Sequence, residues 1–114
     1  MIEKMVDKFY QTAIQDILIG YHFKKIPDFS THLPRIYAFW RKILLNEPSE
    51  MFNSIDLMRA HLPLNIKKAE VRRWGMLFKE VLEQNLTQDL QLKKNWQNKI
   101  DEFVEIFLKN KKLF

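Results

Sequence analysis

With 114 residues, 46% of them hydrophobic and 29% charged, the chain has the length of a single domain, 1–114, that buries roughly two thirds of its unfolded surface. The absence of cysteine excludes a disulfide framework, a thiol nucleophile and thiolate metal sites. No apolar run approaches the roughly 18 to 20 residues that span a bilayer, so the expected setting is the cytoplasm, with no membrane partner. A formal charge of +5 suits an acidic partner or a small dianion, although the plainer reading is a solvated surface.

In chain order, Ile2, Met5, Val6, Phe9, Ala13 and Ile17 recur at three- and four-residue steps, which predicts an amphipathic helix from Ile2 to about Ile19. Gly20 ends it in this reading. Tyr21 to Pro27 then reads as a crossing segment, with His22 exposed beside Lys24 and Lys25 and Phe23 turned inward. Asp28 or Ser30 caps a second helix whose inner face is Phe29, His32, Leu33, Ile36, Phe39, Trp40 and Leu44, with Arg35, Arg41 and Lys42 outside. Pro34 falls in its first turn, where a missing donor costs nothing.

Asn46 to Ser54 carries the polar and proline signals of a surface loop. A short helical turn bearing His61 follows, and Pro63 ends it. Ile66 to Leu86 sets Val71, Trp74, Leu77, Phe78, Val81 and Leu82 on one side, with Lys67, Lys68, Arg72 and Arg73 as a solvated start. Thr87 or Asp89 opens the last helix, with Leu92, Trp96, Ile100, Phe103, Val104 and Phe107 as its stripe and a basic tail from Lys109 to Lys112. Two glycines and four prolines are too few for a turn-rich β fold, so the expectation is all-α.

A glycine-rich phosphate loop, an HExxH pair, a serine motif and clustered metal ligands are all missing from the sequence, which removes support for hydrolase and nucleotide-binding readings. The acids fall on polar faces and read as solvated. Two histidines on apolar segments remain, His32 and His61, together with two aromatics that carry polar handles, Tyr10 and Trp74. Nine Phe, three Trp and three Tyr are more aromatic surface than packing alone requires, so something flat and apolar is expected to share the core. Two imidazoles facing across an aromatic cavity are what a haem iron needs above and below its plane.

Read together, the pair Phe9 and Tyr10, the loop Phe23, His32 followed by Phe39, Trp40 and two leucines, His61 in HLPL, and Trp74 in RRWGMLF resemble the truncated globins, most closely the third group of that family. The likeness runs from the start of the chain to about Leu86, and the last helix fits in pattern.

The resemblance implies a two-over-two helical sandwich with its first helix missing or very short. It further implies haem b, iron protoporphyrin IX, with His61 as iron ligand and its ring oriented by a nearby carbonyl such as that of Leu57. Phe9, Phe23, Phe39 and Leu77 would line the cofactor, and Lys24, Arg35 and Arg59 would meet its propionates. Tyr10, Trp74 and His32 would lie on the distal side and stabilise a diatomic ligand (oxygen, nitric oxide or carbon monoxide). Donors that slow release favour redox chemistry, such as nitric oxide dioxygenation or peroxidase-like reduction, or sensing, over transport. A separate reductase would then recycle the iron, and the expected state is a monomer without nucleic acid.

Plainer readings stand beside these. The plainer alternative for Tyr10 and Trp74 is an ordinary core aromatic, and for His32 a ring that points to solvent. A rival of another class is a basic helical domain without haem that binds nucleic acid or a protein partner, motivated by the net charge and the run Lys67 to Arg73.

Overall fold

The computed structural model describes residues 1–25, 29–46 and 66–109. Among these residues there are five α-helices and no strand: α1 (Ile2–Ile14), α2 (Gly20–Lys24), α3 (Phe29–Leu45), α4 (Lys68–Asn85) and α5 (Leu90–Lys109). The expected all-α class therefore holds. His61, Arg59, Leu57 and Pro63, the loop from 47 to 54, Asp28 and the tail beyond Lys109 lie outside the described residues.

The first helix ends earlier than its periodicity predicts. The Asp16 carboxylate accepts the backbone amides of Leu18 at 3.0 Å and Ile19 at 3.1 Å, a side-chain turn that competes with helical hydrogen bonding. Ile17, expected on the inner face, is consequently fully exposed. Gly20 does not stop α1; it opens α2. Its φ is not positive, and what glycine supplies here is closeness. A Cβ at this position would stand 2.6 Å from the carbonyl oxygen of Ile14, so only glycine lets α2 fold back over the end of α1.

Along α3, Pro34 sits five residues in, beyond the expected first turn, and is exposed. It removes the N–H that would pair with the carbonyl of Ser30. Asn46 follows the helix at φ 56°, a left-handed residue of the kind that closes helices. At the start of α5, Asp89 rather than Thr87 is the cap, its carboxylate accepting the amide of Leu92 at 3.0 Å.

Packing closes four helices around one core. α1 lies on α4 and against α3, α4 runs along α5, and α3 meets α5. Each brings the apolar stripe read from the sequence: Ile2, Met5, Val6, Phe9 and Ala13 from α1, Phe39 and Trp40 from α3, Val71, Leu77, Phe78, Val81 and Leu82 from α4, and Trp96, Ile100, Phe103 and Phe107 from α5. Gly75 brings α4 and α5 into close approach, because a Cβ there would lie 2.7 Å from Cγ2 of Val104. Polar ties connect the layers at their rims. Arg41 of α3 donates from Nε to Glu3 of α1 at 2.6 Å, and Tyr37 donates to Asp7.

Candidate functional site

Aromatic rings from three helices meet around Phe9. It stacks on Phe78 with centroids 4.3 Å apart and planes at 15°, and meets the edges of Phe23 at 5.8 Å and Trp74 at 6.2 Å. Tyr10, the next residue on α1, packs its ring against Phe23 at 5.3 Å and against His32 of α3 at 6.2 Å. Edge-to-face contacts of this kind add about 0.5 to 1.5 kcal/mol each beyond burial. Phe9, Tyr10, Phe23, His32 and Trp74, singled out from the sequence, are thus brought into one cluster. Tyr10, Phe23, His32 and Trp74 are half-buried, so the cluster reaches from the core toward the surface.

Burial, reinforced by the nearby Tyr37 phenol, pushes the Tyr10 hydroxyl well above its ordinary range. It therefore stays a protonated donor at any physiological pH. Phe39 and Leu77 are buried, Phe39 lying toward α5 with its ring 5.6 Å from Phe103. Lys24 and Arg35 are exposed. Phe78 joins the cluster to the centre of the core through Trp40 at 5.5 Å and Trp96 at 5.6 Å. Trp96 is fully buried, and its indole N–H has no partner among the described residues.

A second constellation contradicts the sequence reading. His22, expected in solvent, is buried on α2, and Glu70 of α4, expected on a polar face, is 4% exposed. The Nε2 of His22 lies 3.1 Å from Oε2 of Glu70, the Tyr21 hydroxyl donates to the same carboxylate, and the backbone amide of Lys67 donates to Oε1 at 2.8 Å. Burial pushes the Glu70 carboxyl up, but the Tyr21, Lys67 and His22 donors outweigh it and hold it below the usual range. An ionised carboxylate only accepts, so His22 carries a proton on Nε2. Its Nδ1 is buried without a partner among the described residues.

Arg73 likewise is not merely part of a solvated helix start. It donates from Nε at 3.0 Å and Nη2 at 2.8 Å to Oδ1 of Asp16, whose side chain is 5% exposed. That hydrogen bond, against the opposing effect of burial, holds the Asp16 carboxyl low. Two acids thus fasten α2 and the turn before it onto the first turns of α4. One local signal for Glu70 was present, since an acid three residues after an extended Lys67 is where a capping carboxylate belongs. Nothing local pairs it with His22.

Among the described residues, no three His, Cys, Asp or Glu side chains converge as a bare metal ion would need. A flat apolar cofactor held through one imidazole asks for other things, namely aromatic walls and a few polar tips. The cluster around Phe9 packs ring on ring, with Phe9 itself 1% exposed, and the polar-tipped side chains Tyr10, His32 and Trp74 are its half-buried members. Comparison with protein-family models, with curated proteins and with solved structures finds no match for the chain.

Proposed function

We propose that the chain is a haem protein of the truncated-globin kind that binds a diatomic gas, with redox chemistry or sensing favoured over transport. The observation that carries this reading is the meeting of Tyr10, Phe23 and His32, from α1, α2 and α3, beside the Phe9 and Trp74 contact. These are residues that the resemblance assigns to the pocket, and four separate helices supply them. Haem, when bound, supplies an iron centre for gas coordination and one-electron chemistry.

The chain's own contribution follows from its donors. Tyr10, kept protonated by burial, and the Trp74 indole are both donor-capable at the cluster, whereas neutral His32 has a single ring proton. Hydrogen bonds of this type to a charged acceptor contribute about 1.5 to 3 kcal/mol. Arg35, exposed, is free of the core and suits an anionic propionate at a rim. His61 is the proposed iron ligand, and the apolar walls would keep water from the ligand.

The test is reconstitution of the purified chain with haem. A one-to-one complex with a Soret band at about 400 to 430 nm is expected, and His61→Ala should abolish stable uptake. Full-occupancy binding by that variant, or no uptake by the unaltered chain, would overturn the reading. A helical domain without haem would remain colourless.

A further inference from the structure

The polar join between α2 and α4 has a basic outer side. Residues 16–25 and 66–73 contain six of the chain's Lys and Arg and only two acids, Asp16 and Glu70. Both acids point inward, with side chains 5% and 4% exposed. Lys24, Lys25 and Lys67 point outward, exposed, and form no ion pair among the described residues. They share one corner of the fold. Tyr21 bonds the carboxylate that also receives the Lys67 amide, and the Lys25 ammonium lies 5.4 Å over the Tyr21 ring.

The same corner carries an apolar tip. Ile17 is as exposed as in an open chain, at 101%, with Leu18 at 42% and Tyr21 at 44% beside it. The tip is built rather than frayed, since Asp16 holds the amides of Leu18 and Ile19 on one side and Arg73 on the other.

We propose that this corner is a peripheral docking surface for an anionic lipid bilayer, with Ile17 and Leu18 entering the headgroup and acyl boundary and Lys24, Lys25 and Lys67 meeting acidic headgroups. Attachment to a membrane surface strengthens with buried apolar area and charge attraction together, and both are present at this corner. No helix among the described residues is long and apolar enough to cross a membrane, and surface attachment requires none. An acidic protein would satisfy the cations equally. The protruding aliphatic tip decides for lipid, because a rigid partner needs a matched socket for it while a fluid interface accommodates it. The inward turn of Asp16 and Glu70 removes the two charges that an anionic surface would repel.

The test is co-sedimentation of the full chain with vesicles of phosphatidylcholine containing about one third phosphatidylserine, against phosphatidylcholine alone, at ~0.1 M salt. Binding is expected to the anionic vesicles only. Lys24→Ala with Lys25→Ala should weaken it by about five-fold per charge, and Ile17→Ser by about ten-fold. Emission from Ile17→Trp, taken as the difference from the parent chain, should shift to the blue and be quenched by brominated acyl chains. These side chains are exposed, and unchanged helical circular dichroism separates lost docking from lost fold. Failure to sediment, equal binding to both vesicle types, or an Ile17→Ser chain that binds like the parent would overturn the proposal; the last result would reassign the corner to simple charge attraction, an acidic protein included. None of these readouts depends on haem.

Discussion

His22 and Glu70 face each other at 3.1 Å inside the join of α2 and α4, both almost wholly withdrawn from solvent. The carboxylate also serves Tyr21 and the Lys67 amide, so removing it strands several donors at once. Glu70→Ala is expected to cost about 3 kcal/mol, because a lost partner leaves buried polar groups unmade. Glu70→Gln keeps an accepting oxygen and should cost distinctly less. Urea denaturation of both variants checks the order. In a cycle with His22→Phe, the two losses should be less than additive.

The pH dependence of stability has a definite sign on each side. Asp16 is held low by the Arg73 hydrogen bond against the pull of burial. At Glu70, burial raises the carboxyl but is outweighed by the Tyr21, Lys67 and His22 donors. Folded acid constants below the unfolded ones mean that the native state binds fewer protons. The stabilisation is therefore complete above the unfolded range near pH ~4 and is lost as pH falls through the folded values. On the alkaline side, burial and then the Asp7 carboxylate push Tyr37 up to about 12. Its contribution is complete below pH ~10 and is lost as pH rises toward that value. Urea midpoints followed across pH should show both limbs. Asp16→Asn should flatten the acid limb, and Tyr37→Phe the alkaline one.

Gly75 and Val104 give a test of helix contact that propensity alone would misjudge. In an isolated helix, Gly→Ala stabilises by about 1 kcal/mol. Here the new methyl would stand 2.7 Å from Cγ2 of Val104, and the overpacking should reverse the sign, with a net loss of about 1 to 2 kcal/mol. In a Val104→Ala background, the obstruction is gone and Gly75→Ala should stabilise by about 1 kcal/mol. Thermal unfolding of the four chains measures the crossover.

What the sequence made legible was periodic, and what it hid was pairwise. The stripes of α1, α3, α4 and α5 follow from three- and four-residue spacing, since burial acts on a whole face and tolerates error at any one position. The end of α1 was misread because Asp16 breaks the helix through its own side chain while the apolar pattern runs on to Ile17. Gly20 was misread for a related reason. Its role is a contact with the carbonyl of Ile14, which no composition rule reports. His22 beside two lysines resembles a solvated residue until Glu70 arrives from 48 positions away. The aromatic cluster is not legible through spacing, because four separate segments supply it and a 3.6-residue period has no means of linking them.

The sharpest test of the gas-binding reading concerns Tyr10 and Trp74. Their rings both contact Phe9, Tyr10 at 5.6 Å and Trp74 at 6.2 Å, so the two approach the same core residue from α1 and α4. Tyr10→Phe removes a hydroxyl and keeps the ring that packs on Phe23 and His32; Trp74→Phe removes an indole donor with some loss of volume. Each should speed oxygen dissociation by about ten-fold or more, the equivalent of one charge-assisted hydrogen bond. If both donors serve one acceptor atom, the double variant should gain less than the product of the two. Because Tyr10 stays protonated through burial, its effect should be constant between pH ~6 and ~9. Stopped-flow oxygen dissociation measures all three. Rates unchanged in both single variants, with His32→Leu alone accelerating release, would transfer the gating role to the histidine and leave Tyr10 and Trp74 as packing residues.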